Sequence, residues 1–452
     1  MSIRRTSSRA LSPRSRTAAA VSLSAVLALT ATACGDDGSG GGGSEGSGKG
    51  EITLWDNNTG ERRDIWAQII KDFEKENPDI HVKYVGIPID QVQAKYDTAI
   101  DGGGLPDVGG VTTAYLSNLV VRDVLEPVGD RIDASGGLKG KLVPTMVDGV
   151  KAAGGRGDKM YSVPTSSNNG TLWYRTDLFD AAGLEAPTSW SSFYAAAEKL
   201  TAAGKNKFGY TIRGGAGSIA PAMDAMYGQS GISEFWDGDK TTVNDPKNVA
   251  ALEKYVALYK KVTPSADVNN DFIKMVAQWD NGTIGMLTHN LASYQNHVEA
   301  LGKEKFKGLP YPTQEDGSRV QVSNPVDGLG LFKNSKNKAA AWKLIEFAAS
   351  HKSNSAWNAS AGSIPANTDA AADAWIQEAE PTAAAMKALS DGSTKIVNLP
   401  YYLPDWNTIS KSGNEPNFQK VLLGDMSAKD FADKLAKELN AAQAEWKEQQ
   451  KG

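Results

Sequence analysis

The side chains that could do chemistry gather in short polar runs: Asp56-Asn57-Asn58, Thr112-Thr113, Asn168-Asn169, Thr288-His289-Asn290 and the stretch around Asp327, with Arg213 alone between Ile212 and Gly214. Trp236, Tyr402 and Trp406 add aromatic rings in segments broken by Gly, Pro and Asp. Carboxyls, amides and hydroxyls make hydrogen bonds, and rings offer flat apolar faces. None of the runs has the spacing of a nucleophile, a metallohydrolase or a phosphate loop. His81, His289, His297 and His351 are too scattered to ligate one ion. Asp56 and Asp327 could pair as acid and base in a glycosidase, though nothing in their spacing demands it. Groups of this kind hold a molecule more readily than they cleave one, so no catalytic residue, metal or cofactor is expected.

Such groups need elements to present them. Ile52-Thr53-Leu54-Trp55 is a strand by its β-branched and aromatic content. The next stretch, to Glu76, carries Ile65, Trp66, Ile69, Ile70 and Phe73 at helical spacing and stops at Asn77-Pro78. His81 to Val85 alternates as a second strand, so the chain opens β-α-β, a parallel-sheet beginning that presents ligand groups at the carboxyl ends of its strands. Asp56 to Thr59 lies at such an end, although Asn and Asp there also suit a turn or a helix cap. Ser427 to Gln449 reads as a closing helix with Ser427 as cap and Asp430 three residues on.

The leader is read separately. Met1 to Thr17 carries five Arg and no acid, and Ala18 to Ala33 has no charge, the pattern of a secretory signal peptide. Arg4-Arg5 also fits a twin-arginine signal. Leu29-Thr30-Ala31-Thr32-Ala33-Cys34 resembles the bacterial lipobox, with Ala31 where Leu is usual. Cys34, the single cysteine, is then the lipidated N-terminus, followed by a Gly/Ser tether from Gly35 to Gly50 with an end-to-end distance of roughly 20 to 25 Å. Removing 33 of 452 residues leaves 419, enough for two lobes. It also takes the net charge from −5 to −10, because five Arg leave. So acidic a chain argues against nucleic-acid binding.

Segments in fixed order carry a family resemblance. They are strand-helix-Asn-Pro-strand; Gly103-Gly104-Leu105-Pro106-Asp107-Val108; Lys159 to Pro164; Leu172 to Phe179, with Arg175 where Asn is usual; Ala182 to Trp190; Asn281 to Met286; and Lys336 to Phe347. Together, over residues 51 to 450, they resemble the extracellular solute-binding proteins of ABC importers, the family containing maltose-binding protein. The resemblance implies a two-lobe α/β fold of the periplasmic-binding-protein type, with a hinge and a ligand cleft between lobes. The division expected is 51–164 plus 310–350 for lobe 1 and 165–309 plus 351–452 for lobe 2, with crossings near Pro164, Leu309–Pro312 and Ser350.

A carbohydrate in such a cleft needs planar donors and acceptors for its hydroxyls and rings for its C–H faces. The candidates are Asp56, Asn57, Asn58, Thr112, Thr113, Asn168, Asn169, Arg213, His289, Asn290 and Asp327, with Tyr402, Trp406 and Trp236 as platforms. The resemblance implies a monomeric lipoprotein outside the cell membrane that delivers an oligosaccharide to integral permease subunits. A polyamine, a metal chelate or an organophosphate in the same fold is the alternative, and a secreted glycan-processing enzyme is a more distant one.

Overall fold

The structure, a computed structural model, describes residues 45–57, 62–88, 91–202, 205–390 and 392–450. The leader, Cys34, Asn58 and the tether as far as residue 44 lie outside the described residues. Strand β1 (Gly50–Asp56) passes through the helix Arg62–Glu76 to β2 (Ile80–Gly86), and the helix Val92–Gly102 then delivers β3 (Val108–Thr112). β1 lies between β2 and β3 and runs parallel to both. The first helix buries Trp66, Ile69, Ile70 and Phe73, with Ile65 partly covered, so the predicted stripe is its core face. Asn77 ends it, donating its amide to Phe73 O at 3.0 Å.

β4 (Val163–Ser167) joins the same sheet, and two residues later β5 (Gly170–Arg175) opens a second one. β6 (Phe208–Tyr210), the hairpin β7 (Trp236–Asp237) and β8 (Lys240–Thr241), β9 (Ile284–Asn290) and β10 (Phe306–Pro310) follow. β11 (Arg319–Val322) pairs with β14 (Thr394–Val397), while β12 (Val326–Leu331) and β13 (Ile364–Pro365) return to the first sheet. The strand orders are β13-β4-β12-β3-β1-β2 and β10-β5-β9-β6. Both sheets carry helices over fully buried side chains, Phe73, Tyr96 and Phe332 at the first and Trp173, Phe193 and Trp279 at the second. This is the expected two-lobe α/β class.

The chain changes sheet at three places, two of them away from those expected. The first is Asn168-Asn169, just past Pro164. The return to the first sheet comes at 323–325, after β11, whose strand packs on the second-sheet helix Ile219–Ser230. The last comes after Pro365, because β13 pairs with β4 and the helix His351–Ala361 packs on Arg62–Glu76. Segment 351–365 therefore lies with the first sheet, since a strand too short to read in the sequence ties it there.

The tether also ends earlier than Gly50. Glu45 O accepts from Ala339 N at 2.9 Å, and the Glu45 carboxylate meets Arg131 at 2.5 Å. Asn337 clasps the next residues, its Oδ1 accepting from Gly48 N at 3.1 Å and its Nδ2 donating to Lys49 O at 2.5 Å. Arg175, set where the resemblance has Asn, is structural: it forks onto Asp177 with bonds of 2.8 and 2.6 Å. The closing helix, Ala428–Gln449, is capped as its sequence predicts, Ser427 Oγ accepting from Asp430 N at 3.0 Å.

Candidate ligand-binding site

The carboxyl ends of β1 and β3 meet the amino end of the antiparallel β12 at one rim, because the first sheet places these strands side by side. Asp56 closes β1, is 2 % exposed, and accepts from the Tyr84 hydroxyl of β2 at 2.7 Å. Asn57 donates its amide to the Tyr115 hydroxyl at 3.2 Å, and Tyr115 in turn donates to Gly110 O at 3.0 Å. A Cβ on Gly110 would stand 2.5 Å from Asn57 Oδ1, so only glycine lets the amide lie against β3. Thr113 Oγ1 accepts from Val326 N at 3.0 Å and ties β3 to the start of β12.

Asp327 sits in register between Thr112 on one neighbouring strand and Ser166 on the other. Burial, reinforced by the negative charge of Asp56, pushes its carboxyl up to about 6, against the pull of Arg62 and of the two flanking hydroxyls. Thr112 Oγ1 and Ser166 Oγ are buried and lack a hydrogen bond of good geometry. Asp56, Asn57, Asp327, Asn354 and Trp357 line one pocket there, of about 400 Å³ with its open mouth included.

The crossing Asn168-Asn169 joins this rim to the second sheet. Asn168 Oδ1 accepts from Ser363 Oγ at 2.8 Å, and Asn169 Oδ1 from Gln321 Nε2 at 2.7 Å. At Gly170 the Tyr311 ring fills the space of a side chain, 2.5 Å from where a Cβ would be. In β5, Gly170 then stands opposite Asn290 and Thr171 opposite His289.

On this second side Asn290 Oδ1 accepts from Ala292 N at 3.2 Å, and His289 Nδ1 lies 3.2 Å from Ser293 Oγ. Burial, with the positive charges of Arg213 and His297, pushes His289 down to about 3, so its ring is neutral at physiological pH. Arg213 leaves β6, donates Nε to Ala216 O at 2.6 Å and lies 5.7 Å from the centre of the Phe272 ring. Phe272 stacks on His289, centroids 5.9 Å apart and planes 12° from parallel. Sequence reasoning did not single out Phe272, because it completes the stripe Phe272, Met275, Val276, Trp279 and so reads as core. It is nonetheless 39 % exposed.

The three aromatic residues expected as platforms are largely packed, Trp406 and Tyr402 in a segment whose short helix, beginning at Trp406, touches the helix that begins at Thr113. Trp406 is 4 % exposed, edge-on to Phe235 and Tyr401 at 6.2 and 5.7 Å. Tyr402 donates its hydroxyl to Gln443 at 2.7 Å and packs on Trp446 at 4.5 Å. Trp236 is half-buried against Phe235 at 5.2 Å. Pro400 and Pro404 bar a helix or central strand, and a tight turn, Trp406 N donating to Leu403 O at 3.0 Å, leads into the short helix Trp406–Ile409, from which Asn407 Nδ2 donates to Gln93 of the first-sheet helix Val92–Gly102. Among the described residues no cluster of three or more acidic, His or Cys side chains could hold a metal, and no helix is long and apolar enough to cross a membrane.

Known proteins share this fold. A family model described as bacterial extracellular solute-binding protein matches residues 58–355. A Brucella abortus (strain 2308) chain described as a binding protein is 27 % identical over 372 residues, covering 79 % of this chain and 85 % of its own. The ABC substrate-binding protein Lmo0181 of Listeria monocytogenes, in complex with cycloalternan, superposes with a TM-score of 0.74 at 25 % identity, over 87 % of this chain and 99 % of its own. An ABC transporter solute-binding protein of Agrobacterium vitis S4 with bound D-mannitol does so with a TM-score of 0.67, again at 25 % identity, over 89 % and 98 %.

Proposed function

This chain belongs to the bacterial extracellular solute-binding protein family, and from that premise we propose that it captures a sugar, most simply an oligosaccharide, between its two sheets and delivers it to the membrane subunits of an ABC transporter. The observation that carries the ligand class is the pair of rims joined by Asn168-Asn169. Asp56, Asn57, Thr112 and Asp327 stand on one side of that crossing, Asn290, His289 and Arg213 on the other. Amides, hydroxyls and singly placed charges suit a polyhydroxylated molecule. Asp56 and Asp327 are accompanied by Arg62, which disfavours a polyamine, and Arg213 and Lys411 are flanked by the carboxylates of Glu415 and Asp271, which disfavours a phosphate. Closure of two lobes on a ligand would couple capture to docking on the permease.

The same reading makes Cys34 the acylated anchor, with two chains needed for a stable hold on the membrane, and the working species a monomer. A thermal-shift panel of maltose, maltotriose, D-mannitol, spermidine and glycerol 3-phosphate tests the ligand class. A ligand at about 100 times its Kd adds about 2.7 kcal/mol to stability, so a sugar that binds raises the melting temperature measurably. A shift with spermidine or the phosphate and none with any sugar or polyol would refute the reading.

A further inference from the structure

The far end of the second sheet carries a groove of its own. β9 starts at Ile284 and reaches the crossing only at Asn290, so its first residue stands about 20 Å from the site described above. Leu178 and Ala181 of the helix Thr176–Ala182, Leu200 at the end of the helix Trp190–Leu200 and Phe208 of β6 give the groove an apolar floor. Its volume is about 510 Å³ with the open mouth included, within the range of about 300 to 1,000 Å³ usual for ligand pockets. Lys199 and Lys207 line it and are exposed, and among the described residues neither ammonium has a partner. The adjacent Glu198 is taken by Lys261 at 2.5 Å. A third cation lies behind the groove. Arg175 is 7 % exposed and forks onto Asp177 through Nε and Nη2, which leaves Nη1 buried with no hydrogen bond. A Cβ built on Gly282, which lines the groove, would have Arg175 Nη1 at 3.1 Å as its single neighbour within 4 Å. Nη1 thus faces the open space over Gly282, and a buried donor without an acceptor costs free energy until something supplies one.

We propose that this groove is a second binding site, separate from the cleft, for a small amphiphilic carboxylate. Its apolar body lies on Leu178, Ala181, Leu200 and Phe208, and its head is held by Lys199 and Lys207 and drawn toward Arg175 Nη1. Each half of the lining calls for one half of such a molecule. An inorganic anion would leave the apolar floor wet, and a neutral apolar molecule would bring nothing to the cations. A sugar fits poorly, because the groove has neither carboxylate nor side-chain amide, and its one hydroxyl, Thr283 Oγ1, already donates to Gln278 O at 3.0 Å. The deepest of the three cations is particular to this chain, since Arg175 stands where the resembling proteins carry Asn. The proposal is independent of what the cleft takes.

Calorimetric titration of the full chain with octanoate tests this, with octanol and inorganic phosphate as the body and the head alone. The proteins are wild type, the double variant Lys199→Gln with Lys207→Gln, and Ala181→Leu. Wild type should bind one octanoate, and octanol and phosphate roughly tenfold or more weakly. The double variant should lose about tenfold or more in octanoate affinity, from two charge-assisted contacts removed, while its weak binding of octanol stays as it was. Ala181→Leu, whose added carbons occupy the floor, should abolish octanoate binding. All three changed residues are exposed and away from both rims, so a molecule held in the cleft would not respond to them. No octanoate binding by wild type, octanol or phosphate binding as tightly as octanoate, or an octanoate affinity unchanged in the double variant each overturns the proposal. If Ala181→Leu melts far below wild type, the lysine pair decides alone, since exposed lysines are replaced at little cost to the fold.

Discussion

Asp224→Asn should remove a pH dependence that this one buried side chain builds into the fold. Asp224 lies in the helix Ile219–Ser230, 8 % exposed, with Oδ1 accepting from Val322 N at 3.2 Å and the Tyr311 hydroxyl beside it. Burial pushes its carboxyl up to about 8 from an ordinary value near 3.8. Between those values the unfolded chain has released the proton and the folded chain keeps it. The unfolded state then binds fewer protons, and stability falls as pH rises through the window. Each pH unit costs somewhat over ~1 kcal/mol, so from pH 5 to pH 7 this site removes about 3 kcal/mol. Asparagine has the same shape and keeps an acceptor for Val322 N, but has no proton to exchange. Urea unfolding of both proteins at pH 5 and pH 7 should therefore show the variant gaining about 3 kcal/mol on wild type between the two conditions. Asp267 and Asp327, also raised by burial, titrate in both proteins and cancel. A difference that stays constant within about 0.5 kcal/mol, the usual scatter of such comparisons, would show that Asp224 is ionised in the fold and would refute the reasoning.

Asn337→Ala breaks both hydrogen bonds that hold Gly48 and Lys49. At about 0.5 to 1.5 kcal/mol each, their loss should speed amide exchange over residues 46–50 by roughly tenfold or more while the global melt barely moves; unchanged protection would mean the other contacts of Glu45 and Lys49 suffice. Cys34→Ser should move the protein from the membrane fraction into the medium and abolish any mass increment from acylation. Serine-bearing protein that stays in the membrane fraction would show that something other than the thiol holds it there.

What could be read from the sequence follows from the range of the interaction that determines it. The stripe Trp66, Ile69, Ile70, Phe73, the stop at Asn77 and the Ser427 cap are local, and each stands where its residues require. That Asp56 and Thr112 end strands is local too. That Asp327 lies between Thr112 and Ser166 depends on the strand order β4-β12-β3, which no periodicity encodes. β13 is two residues long, so its attachment to β4, and with it the side on which the helix His351–Ala361 lies, could not be read from pattern.

The aromatic residues make the sharper case, since the densest cluster is packed away and a phenylalanine that fits a core stripe is exposed. Trp406 lies in a turn whose neighbours Tyr401 and Phe235 close over it. Phe272 shares its helical face with Met275, Val276 and Trp279, all buried. The difference is position along the helix. A helical side chain leans back over the turn that precedes its own Cα, and Phe272 follows directly on the cap Asp271, which accepts from Lys274 N at 2.9 Å. It has no preceding turn to lie on. Its ring passes beyond the end of its own helix and finds support on His289 of β9 and on Arg213 in the loop after β6. An aromatic residue directly after a helix cap is thus the local signal that a stripe of core spacing has one member the core does not cover.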